Sequence, residues 1–388
     1  MIKILINKFV PNYEHTEDAT VRERYGIVAG SVGIFCNLCL FFLKLFAGLL
    51  SGAISVVADA FNNLSDAGSS IVTLLGFKLA GKPADHNHPF GHGRIEYLSG
   101  LLIAAVIILV GGELLRTSVE KIFHPEEISV SIIAIAILFA SIFVKFWMFH
   151  FNKHIAKQIK SAAMEATAAD SLNDCIATAG VLLGIAIYYF TGTNCDGYVG
   201  IGIALFILYS GVSTGKQTLQ PLLGQAPESD FVNKIRVFVQ KYPNIIGIHD
   251  LIVHDYGPGR RFVSLHAEIP SNMDMLKAHE LIDGLEYDLH VLLSCEVIIH
   301  MDPVIVDDIK INNLRNQIKA IIKEYDPAFT MHDFRITNSR NGYNLIFDVV
   351  VPFQYKDTDE IVKERLSSAI KQLDPSYNAI ICIDHLYI

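Results

Sequence analysis

Two stretches decide how this chain folds: Asn62-Asn63-Leu64-Ser65-Asp66 in one apolar segment and Asp170-Ser171-Leu172-Asn173-Asp174 in another. In each stretch two oxygen-bearing side chains are four residues apart, so a helix places them on one face. A charged side chain inside a membrane segment is costly and marks a functional site. Brought together, the terminal residues of the two stretches make an all-oxygen cage for a divalent cation. They are Asn62, Asp66, Asp170 and Asp174.

The composition around these stretches is typical of a membrane protein. Of the 388 residues, 51% are hydrophobic and 18% are charged, whereas soluble proteins have roughly a quarter charged. Six apolar runs are long enough to cross a bilayer, which takes about 20 residues. They lie near 28–49, 53–79, 98–118, 128–150, 163–190 and 196–219. Lys and Arg concentrate in the N-terminal tail and in the second and fourth loops, which predicts that both termini are cytoplasmic.

Several other classes of protein are excluded. The net charge of -9, without a basic stripe, argues against a nucleic-acid partner. The six scattered cysteines do not resemble a disulfide framework. The sequence has no nucleophile–base pair or phosphate-binding loop, so we do not expect an enzyme. Lys44 and Lys145 lie within apolar runs, and we expect them to extend towards the membrane surface by snorkelling.

After Pro221 the pattern changes to short elements in the order αββαβ, which is typical of helices packed on one face of a small sheet. The same order then repeats. His249-Asp250-Leu251 has a counterpart in His332-Asp333-Phe334, and 263–270 matches 345–352. Residues 295–302 match 378–385 more loosely. The tail from about 310 is therefore interpreted as a degenerate second copy of the preceding domain.

Two histidine clusters are further candidates for metal binding. The loop after the second apolar run contains Asp85, His86, His88 and His92 within eight residues, which are ligands that Zn²⁺ or Mn²⁺ accepts. A second set is dispersed along the first soluble domain. These residues either converge on one sheet surface or are separate structural histidines. They are His249, His266, His279, His300 and Asp302.

The ligand types bear on the identity of the ion. Aspartate and asparagine oxygens are hard donors that suit Mn²⁺ or Mg²⁺. The imidazole and thiolate groups that Zn²⁺ prefers are missing from both membrane stretches. Mn²⁺ is therefore expected ahead of Zn²⁺ or Fe²⁺, although general affinity trends favour zinc at most sites.

Three motifs give the chain a family resemblance. They are ADAFNNLSD at 58–66, HPFGHG at 88–93 and ADSLND at 169–174. With these motifs, residues 25–302 resemble the cation diffusion facilitator family. The resemblance implies a homodimer of six-span protomers in the cell membrane, each with a ferredoxin-like cytoplasmic domain.

The resemblance also implies residue roles. Asn62, Asp66, Asp170 and Asp174 correspond to the family's transport site, and Asp85, His88 and His92 correspond to its loop site. The dispersed histidines fall where the cytoplasmic domain binds metal. Asp348 stands in the second repeat where His266 stands in the first, so we expect that repeat to lack the full metal set.

These inferences combine into one expectation for the whole chain. It has a cytoplasmic tail at 1–25, a six-helix transmembrane domain at 26–223, a ferredoxin-like metal-binding domain at 224–305 and a degenerate repeat at 306–388. The expected function is proton-coupled efflux of Mn²⁺ by a secondary active transporter, with membrane lipid, protons and a second protomer as partners. The alternatives are a zinc or iron exporter of the same family, or a membrane-bound metal sensor with vestigial membrane stretches.

Overall fold

The computed structural model describes residues 2–16, 18–51, 54–124, 132–191, 193, 195–339 and 342–386. The chain divides into two compact units. The first comprises Met1–Gln225 with Asp255–Arg260, and the second comprises Ala226–His254 with Arg261–Ile388.

The first unit is helical. In its described part a short helix, α1 (Ile2–Phe9), precedes six long helices. These are α2 (Ala19–Ser51), α3 (Ile54–Ala80), α4 (Ile95–Phe123), α5 (Ile132–Ile159), α6 (Ala162–Thr191) and α7 (Asp196–Leu219). Within the described residues each apolar run predicted from the sequence overlaps one of them, which confirms the helical membrane fold. Residue 53 of the second run and residues 128–131 of the fourth run lie outside the described residues. Among the described residues, five of the six long helices are long and apolar enough to be candidate membrane spans. The exception is α3, because its polar stretch lowers the mean hydropathy of the helix.

Large apolar side chains cover the outer faces of these helices. Phe35, Leu109, Phe143 and Tyr209 are each more than two-thirds exposed in the isolated chain. Soluble proteins rarely leave such extended apolar surface facing water. Lipid is the solvent that this surface fits, and the chain is an integral membrane protein.

Close packing between α2 and α3 holds the first polar stretch in position. Gly26 and Gly30 of α2 face α3, where an added Cβ would lie 2.0 Å from the ring of Phe77 and 2.6 Å from Cβ of Leu74. Small residues let membrane helices approach closely enough for van der Waals packing. The two glycines therefore fix the position of α3 beside α2.

The second unit contains two halves with the same element order. The first half has α8 (Ser229–Gln240), β1 (Gly247–Asp255), β2 (Arg261–Pro270), α9 (Met275–Leu293) and β3 (Glu296–Val304). The second half has α10 (Ile309–Tyr325), β4 (Thr330–Ser339), β5 (Gly342–Pro352), α11 (Asp359–Leu373) and β6 (Tyr377–Leu386). The sheet orders are β1-β2-β3 and β4-β5-β6, and the central strand runs parallel to the last strand in each sheet.

Alternating burial gives each half its own apolar core. On β2 the inward residues are Val263, Leu265, Ala267 and Ile269, which pack with apolar residues of α8 and α9. On β5 the inward residues are Leu345, Phe347, Val349 and Val351, which pack with residues of α10 and α11. A period of two with one buried face is what a sheet covered by helices requires.

The strand ladders correct one detail of the sequence comparison between the halves. β2 places Glu268 opposite Asp302, and β5 places Val350 opposite Asp384. Asp302 therefore corresponds to Asp384 and not to His385, and the position of His300 is occupied by Cys382. The prediction was one residue out of register because β3 and β6 are both runs of similar apolar residues, and a slip of one residue exchanges the two faces of a strand.

Candidate metal centres

The two polar stretches lie on α3 and α6. Asn63, Ser171 and Asn173 are buried between helices, whereas Asp66 and Asp174 are partly buried. Hydrogen bonds tie α3 and α6 to neighbouring helices. Asn37 of α2 donates to the hydroxyl of Ser70, and Asn152 of α5 donates to that of Ser171, each at 3.4 Å.

Lys145 of α5 lies between the two stretches. Its Nζ atom is 2.6 Å from Oδ2 of Asp66 and 2.6 Å from Oδ2 of Asp174, and its side chain is only 4% exposed. Two carboxylates from different helices therefore point at one buried positive charge. This is the convergence of Asp66 and Asp174 that the spacing of the polar stretches predicts.

The position of Lys145 contradicts the snorkelling prediction. A snorkelling lysine buries its apolar stem and extends its ammonium to the membrane surface. Here two carboxylates hold the ammonium of Lys145 inside the helix bundle. Lys44 of α2 is also buried, at 2% exposure, and acts electrostatically on Asp66. The sequence does carry a signal for such pairing, because lysines and aspartates occur in the same set of apolar runs.

The other two residues of the predicted cage are Asp170 and Asn62. Asp170 interacts electrostatically with both Asp66 and Asp174. Among the described residues, however, the ligand oxygens of the three carboxylates do not all lie within 4.8 Å of one another. Asn62 lies one turn before Asp66 on α3, and its side chain is exposed. Asp66 and Asp174 therefore share the ammonium of Lys145, and Asp170 interacts electrostatically with both carboxylates.

The loop between α3 and α4 gathers three of its four candidate residues. Asp85, His88 and His92 offer ligand atoms that all lie within 4.8 Å of one another, without His86. The carboxylate of Asp85 is 3.3 Å from Nδ1 of His88 and 3.4 Å from Nε2 of His92. His92 donates its Nδ1–H to the carbonyl of Pro83, so its Nε2 is directed at Asp85 as a ligand nitrogen.

Hydrogen bonds also prepare Asp85 for a cation. Its carboxylate accepts the backbone N–H groups of His88 at 2.8 Å and Asn87 at 3.0 Å. The bond from the His88 backbone is the main cause that lowers the pKa of Asp85. An ionised carboxylate beside two imidazoles is a ligand set that Zn²⁺ or Mn²⁺ accepts.

The first half of the second unit gathers a further cluster around Asp302 of β3. Its carboxylate accepts from Nδ1 of His266 at 2.9 Å and from Nδ1 of His300 at 3.0 Å. Nε2 of His249 lies 3.1 Å from the same carboxylate but is not aligned for a hydrogen bond. His249, His266 and Asp302 offer ligand atoms within 4.8 Å of one another.

One predicted member of this cluster lies elsewhere, and one member was missed. His279 on α9 is 64% exposed and pairs with Asp283 one turn later, so the structure does not bring it to Asp302. Asp250 belongs to the cluster instead, because its carboxylate lies 3.2 Å from Nδ1 of His249. That hydrogen bond is the main cause that lowers the pKa of Asp250. The sequence signal for Asp250 is its position directly after His249, in a His-Asp pair that recurs at His332-Asp333.

Comparisons with known proteins identify the family of the chain. The cation efflux transmembrane domain matches residues 31–223, and the cation efflux protein cytoplasmic domain matches residues 227–304. The chain belongs to the cation diffusion facilitator family. An uncharacterized transporter of Methanocaldococcus jannaschii is 30% identical over 274 residues, which is 70% of this chain and 96% of the relative. Cation-efflux pumps FieF of Escherichia fergusonii and Salmonella typhi are each 28% identical over 265 residues, which is 68% of this chain and 88% of each relative.

Membership of the cation diffusion facilitator family settles the class of activity. The chain is a transporter and not an enzyme, and divalent metal ions are its substrates. The two family domains end at residue 304. The second half of the cytoplasmic-type unit, α10 to β6, follows that point.

Proposed function

We propose that this protein exports a divalent cation, Mn²⁺ ahead of Zn²⁺ or Fe²⁺, from the cytoplasm in exchange for protons. The observation that carries the proposal is the ammonium of Lys145 held between the carboxylates of Asp66 and Asp174. Two carboxylates that hold the buried ammonium of Lys145 between two helices can also bind a divalent metal ion, provided that the ammonium moves aside. The relatives named cation-efflux pumps support export as the direction.

The charges of the site support exchange with protons. Three carboxylates, those of Asp66, Asp170 and Asp174, outnumber two ammonium groups. Lys145 contacts Asp66 and Asp174, and Lys44 of α2 acts electrostatically on Asp66. When a divalent ion leaves, the carboxylates repel one another, and protons or the ammonium must restore the balance. Inward proton movement would then pull the metal outwards, which makes the protein a secondary active transporter.

The donor set supports Mn²⁺ as the preferred ion. Asn62 and the three aspartates supply only oxygen, which suits Mn²⁺. Zinc sites use histidine or cysteine, and neither occurs at the four proposed ligand positions. The loop cluster and the Asp302 cluster contain imidazole and are proposed as accessory metal sites outside the membrane.

The wider organisation follows the same proposal. We infer a cytoplasmic tail at 1–25, a transmembrane domain at 26–223, and two cytoplasmic domains at 224–305 and 306–388. The Lys and Arg bias of the loops supports a cytoplasmic position of both termini in the cell membrane. The match to the cytoplasmic domain of cation efflux proteins supports a homodimer. Rocking of the helices about the fixed site would give alternating access.

A transport assay tests the proposal. The purified protein is reconstituted in proteoliposomes that contain a pH indicator, and Mn²⁺ uptake is measured with and without competing Zn²⁺ and Fe²⁺. We expect Mn²⁺ uptake with opposite proton movement, and loss of both in Asp174→Asn. The control is Glu113→Gln, which removes an exposed carboxylate of α4 that pairs with Arg116.

Each outcome has a separate meaning. Metal-dependent proton movement in wild type that is lost in Asp174→Asn supports the exchanger. Metal binding without any ion or proton movement would instead indicate a sensor. Wild-type uptake by Asp174→Asn would rule out Asp174 as part of the transport site. Stronger competition by Zn²⁺ or Fe²⁺ than by unlabelled Mn²⁺ would show that the competing metal is the preferred substrate.

A further inference from the structure

The second half of the second unit has its own set of metal-ligand side chains. His332 on β4, Asp348 on β5 and Asp384 on β6 offer ligand atoms that all lie within 4.8 Å of one another. They come from three different strands, so the fold and not local sequence brings them together. His332, Asp348 and Asp384 stand at the positions of His249, His266 and Asp302, whereas Cys382 stands at the position of His300. The second half therefore lacks the full set of the first half but keeps three of its ligand positions.

The imidazole of His332 is buried without a complete set of partners. Its side chain is only 10% exposed, and Nε2 lies 3.3 Å from Oδ2 of Asp384. Among the described residues, nothing forms a hydrogen bond with its buried Nδ1 atom. A buried polar atom normally has a partner, because leaving it unpaired costs free energy. The ring nitrogen that faces the carboxylate of Asp384 is Nε2, and a metal ion in this set would use that nitrogen as a ligand.

The two halves of the unit meet at these residues. The rings of His249 and His332 are stacked with their centroids 4.2 Å apart. The two histidines are equivalent in the repeat, and each precedes an aspartate with a positive φ, 51° at Asp250 and 50° at Asp333. Contact between equivalent residues is the mark of a two-fold relationship. Here it relates two halves of one chain.

The contact makes a continuous row of ligand sets. His249, Asp250 and His332 also offer ligand atoms within 4.8 Å of one another, and this set takes residues from both halves. It shares His249 with the Asp302 cluster and His332 with the set of the second half. Metal ligands therefore extend without a break across the boundary between the halves.

The charge of the second set favours a cation. Burial and then the nearby carboxylate of Asp384 raise the pKa of Asp348, so the two acidic groups oppose each other's ionisation. A divalent ion between them removes that repulsion. One imidazole with two carboxylates suits a first-row divalent transition metal, because carboxylates suit Mn²⁺ and imidazole suits Fe²⁺ and Zn²⁺.

We propose that His332, Asp348 and Asp384 bind a divalent transition-metal ion at the boundary between the two halves, beside the Asp302 cluster. The ion lies next to the stacked pair His249 and His332, so binding stabilises the contact between the halves. This site uses residues beyond the family domains, which end at 304. It does not depend on the transport site, and its test does not measure transport.

The test counts metal ions bound to the full-length protein in detergent micelles. Wild type and variants are dialysed against buffered Zn²⁺, and bound zinc per chain is measured by elemental analysis. We expect His332→Gln and Asp384→Asn to bind one ion fewer than wild type. The control is His385→Gln, which changes the next residue of β6, a histidine that contacts Asp359 outside the ligand set.

A ligand exchange separates metal binding from a structural role. Asp384→His replaces one ligand by another, and we expect it to keep the wild-type number of ions. Melting temperatures in a chelator show which variants are folded, and in Zn²⁺ the temperature should rise less in Asp384→Asn than in Asp384→His. The proposal is overturned if His332→Gln and Asp384→Asn keep the wild-type count, as a purely structural His332–Asp384 pair would give. Loss of the ion from Asp384→His to the same extent as from Asp384→Asn would overturn it as well.

Discussion

The hydroxyl groups of Thr73 and Thr167 lie 2.9 Å apart and join α3 to α6. Thr73 follows Asp66 by two helical turns, and Thr167 precedes Asp174 by two turns, so each threonine shares a face with its aspartate. The hydrogen bond therefore sets the spacing of the two helices that carry the proposed transport site.

Removal of this hydrogen bond should loosen the site. Thr73→Val and Thr167→Val each remove the bond between the helices, and a bond of this kind between membrane helices contributes about 0.6 kcal/mol. The remaining hydroxyl keeps its bond to a carbonyl of its own helix, at Ser69 or Ala163. We expect both variants to lower the unfolding free energy and to slow metal uptake. Denaturation in micelles measures the first effect and proteoliposome uptake the second.

A double variant provides the check. Thr73→Val combined with Thr167→Val should destabilise by less than the sum of the single variants, because both changes remove the same bond. Thr117→Val is the control, since that hydroxyl donates only to carbonyls of its own helix, at Glu113 and Leu114. Strict additivity of the two changes would show that the bond is not formed.

Lys145 should compete with metal for the same carboxylates. In Lys145→Met the ion no longer has to displace an ammonium from Asp66 and Asp174, so Mn²⁺ affinity should rise about tenfold, or 1.4 kcal/mol. Release should become slower, because no ammonium returns to the site, and uptake should fall. Titration with Mn²⁺ at mildly alkaline pH measures the affinity.

Lys153→Met is the matched control for Lys145. It lies on the same helix but is partly exposed and pairs with Glu165 at 3.1 Å. We expect wild-type Mn²⁺ affinity in that variant. Unchanged or weaker Mn²⁺ binding by Lys145→Met would mean that the ammonium assists the ion and does not compete with it.

The choice of ion should depend on Asp170. Replacement of this carboxylate by imidazole in Asp170→His adds a ligand that Zn²⁺ accepts more readily than Mn²⁺ does. We expect the ratio of zinc to manganese uptake to rise severalfold in parallel assays with radioactive ions. The same ratio in wild type and variant would contradict a ligand role for Asp170.

Much of the fold could be predicted from hydropathy and periodicity. The six apolar runs and the two αββαβ halves depend on local patterns, which the sequence displays directly. The contacts of Lys145 depend on how three helices face one another, and hydropathy alone does not report the direction of a side chain. The place of Asp384 beside His332 and Asp348 could not be predicted for a related reason, since the register of β6 is set by its ladder with β5.

The loop cluster should bind metal through three of its four polar candidates. Asp85→Asn weakens the ionised ligand between His88 and His92, so zinc affinity of the loop should fall tenfold or more. The measurement is competition of the full-length protein with a zinc-sensitive dye. His86→Gln is the control, because His86 lies outside the ligand set. Equal losses in the two variants would indicate a general effect on the loop.

Stability of the metal-free protein should depend on the charge of His249. Burial acts to lower its pKa, but the hydrogen bond to Asp250 and the charges of Asp250 and Asp302 outweigh burial and raise the pKa above 6.5. Protonated His249 therefore stabilises the folded state. Its contribution is complete below the ordinary pKa of 6.5 and is lost as the pH rises through the higher folded pKa.

Melting curves in a chelator measure this effect. We expect the melting temperature of wild type to fall as the pH rises above 6.5, and to fall less in His249→Gln, which does not titrate. His254→Gln, an exposed histidine later on the same strand, should keep the wild-type profile. If His249→Gln shows the same fall as wild type, the stabilising charge belongs to another residue. Bound Zn²⁺ should remove the pH dependence, since the ion takes the place of the proton on the histidine.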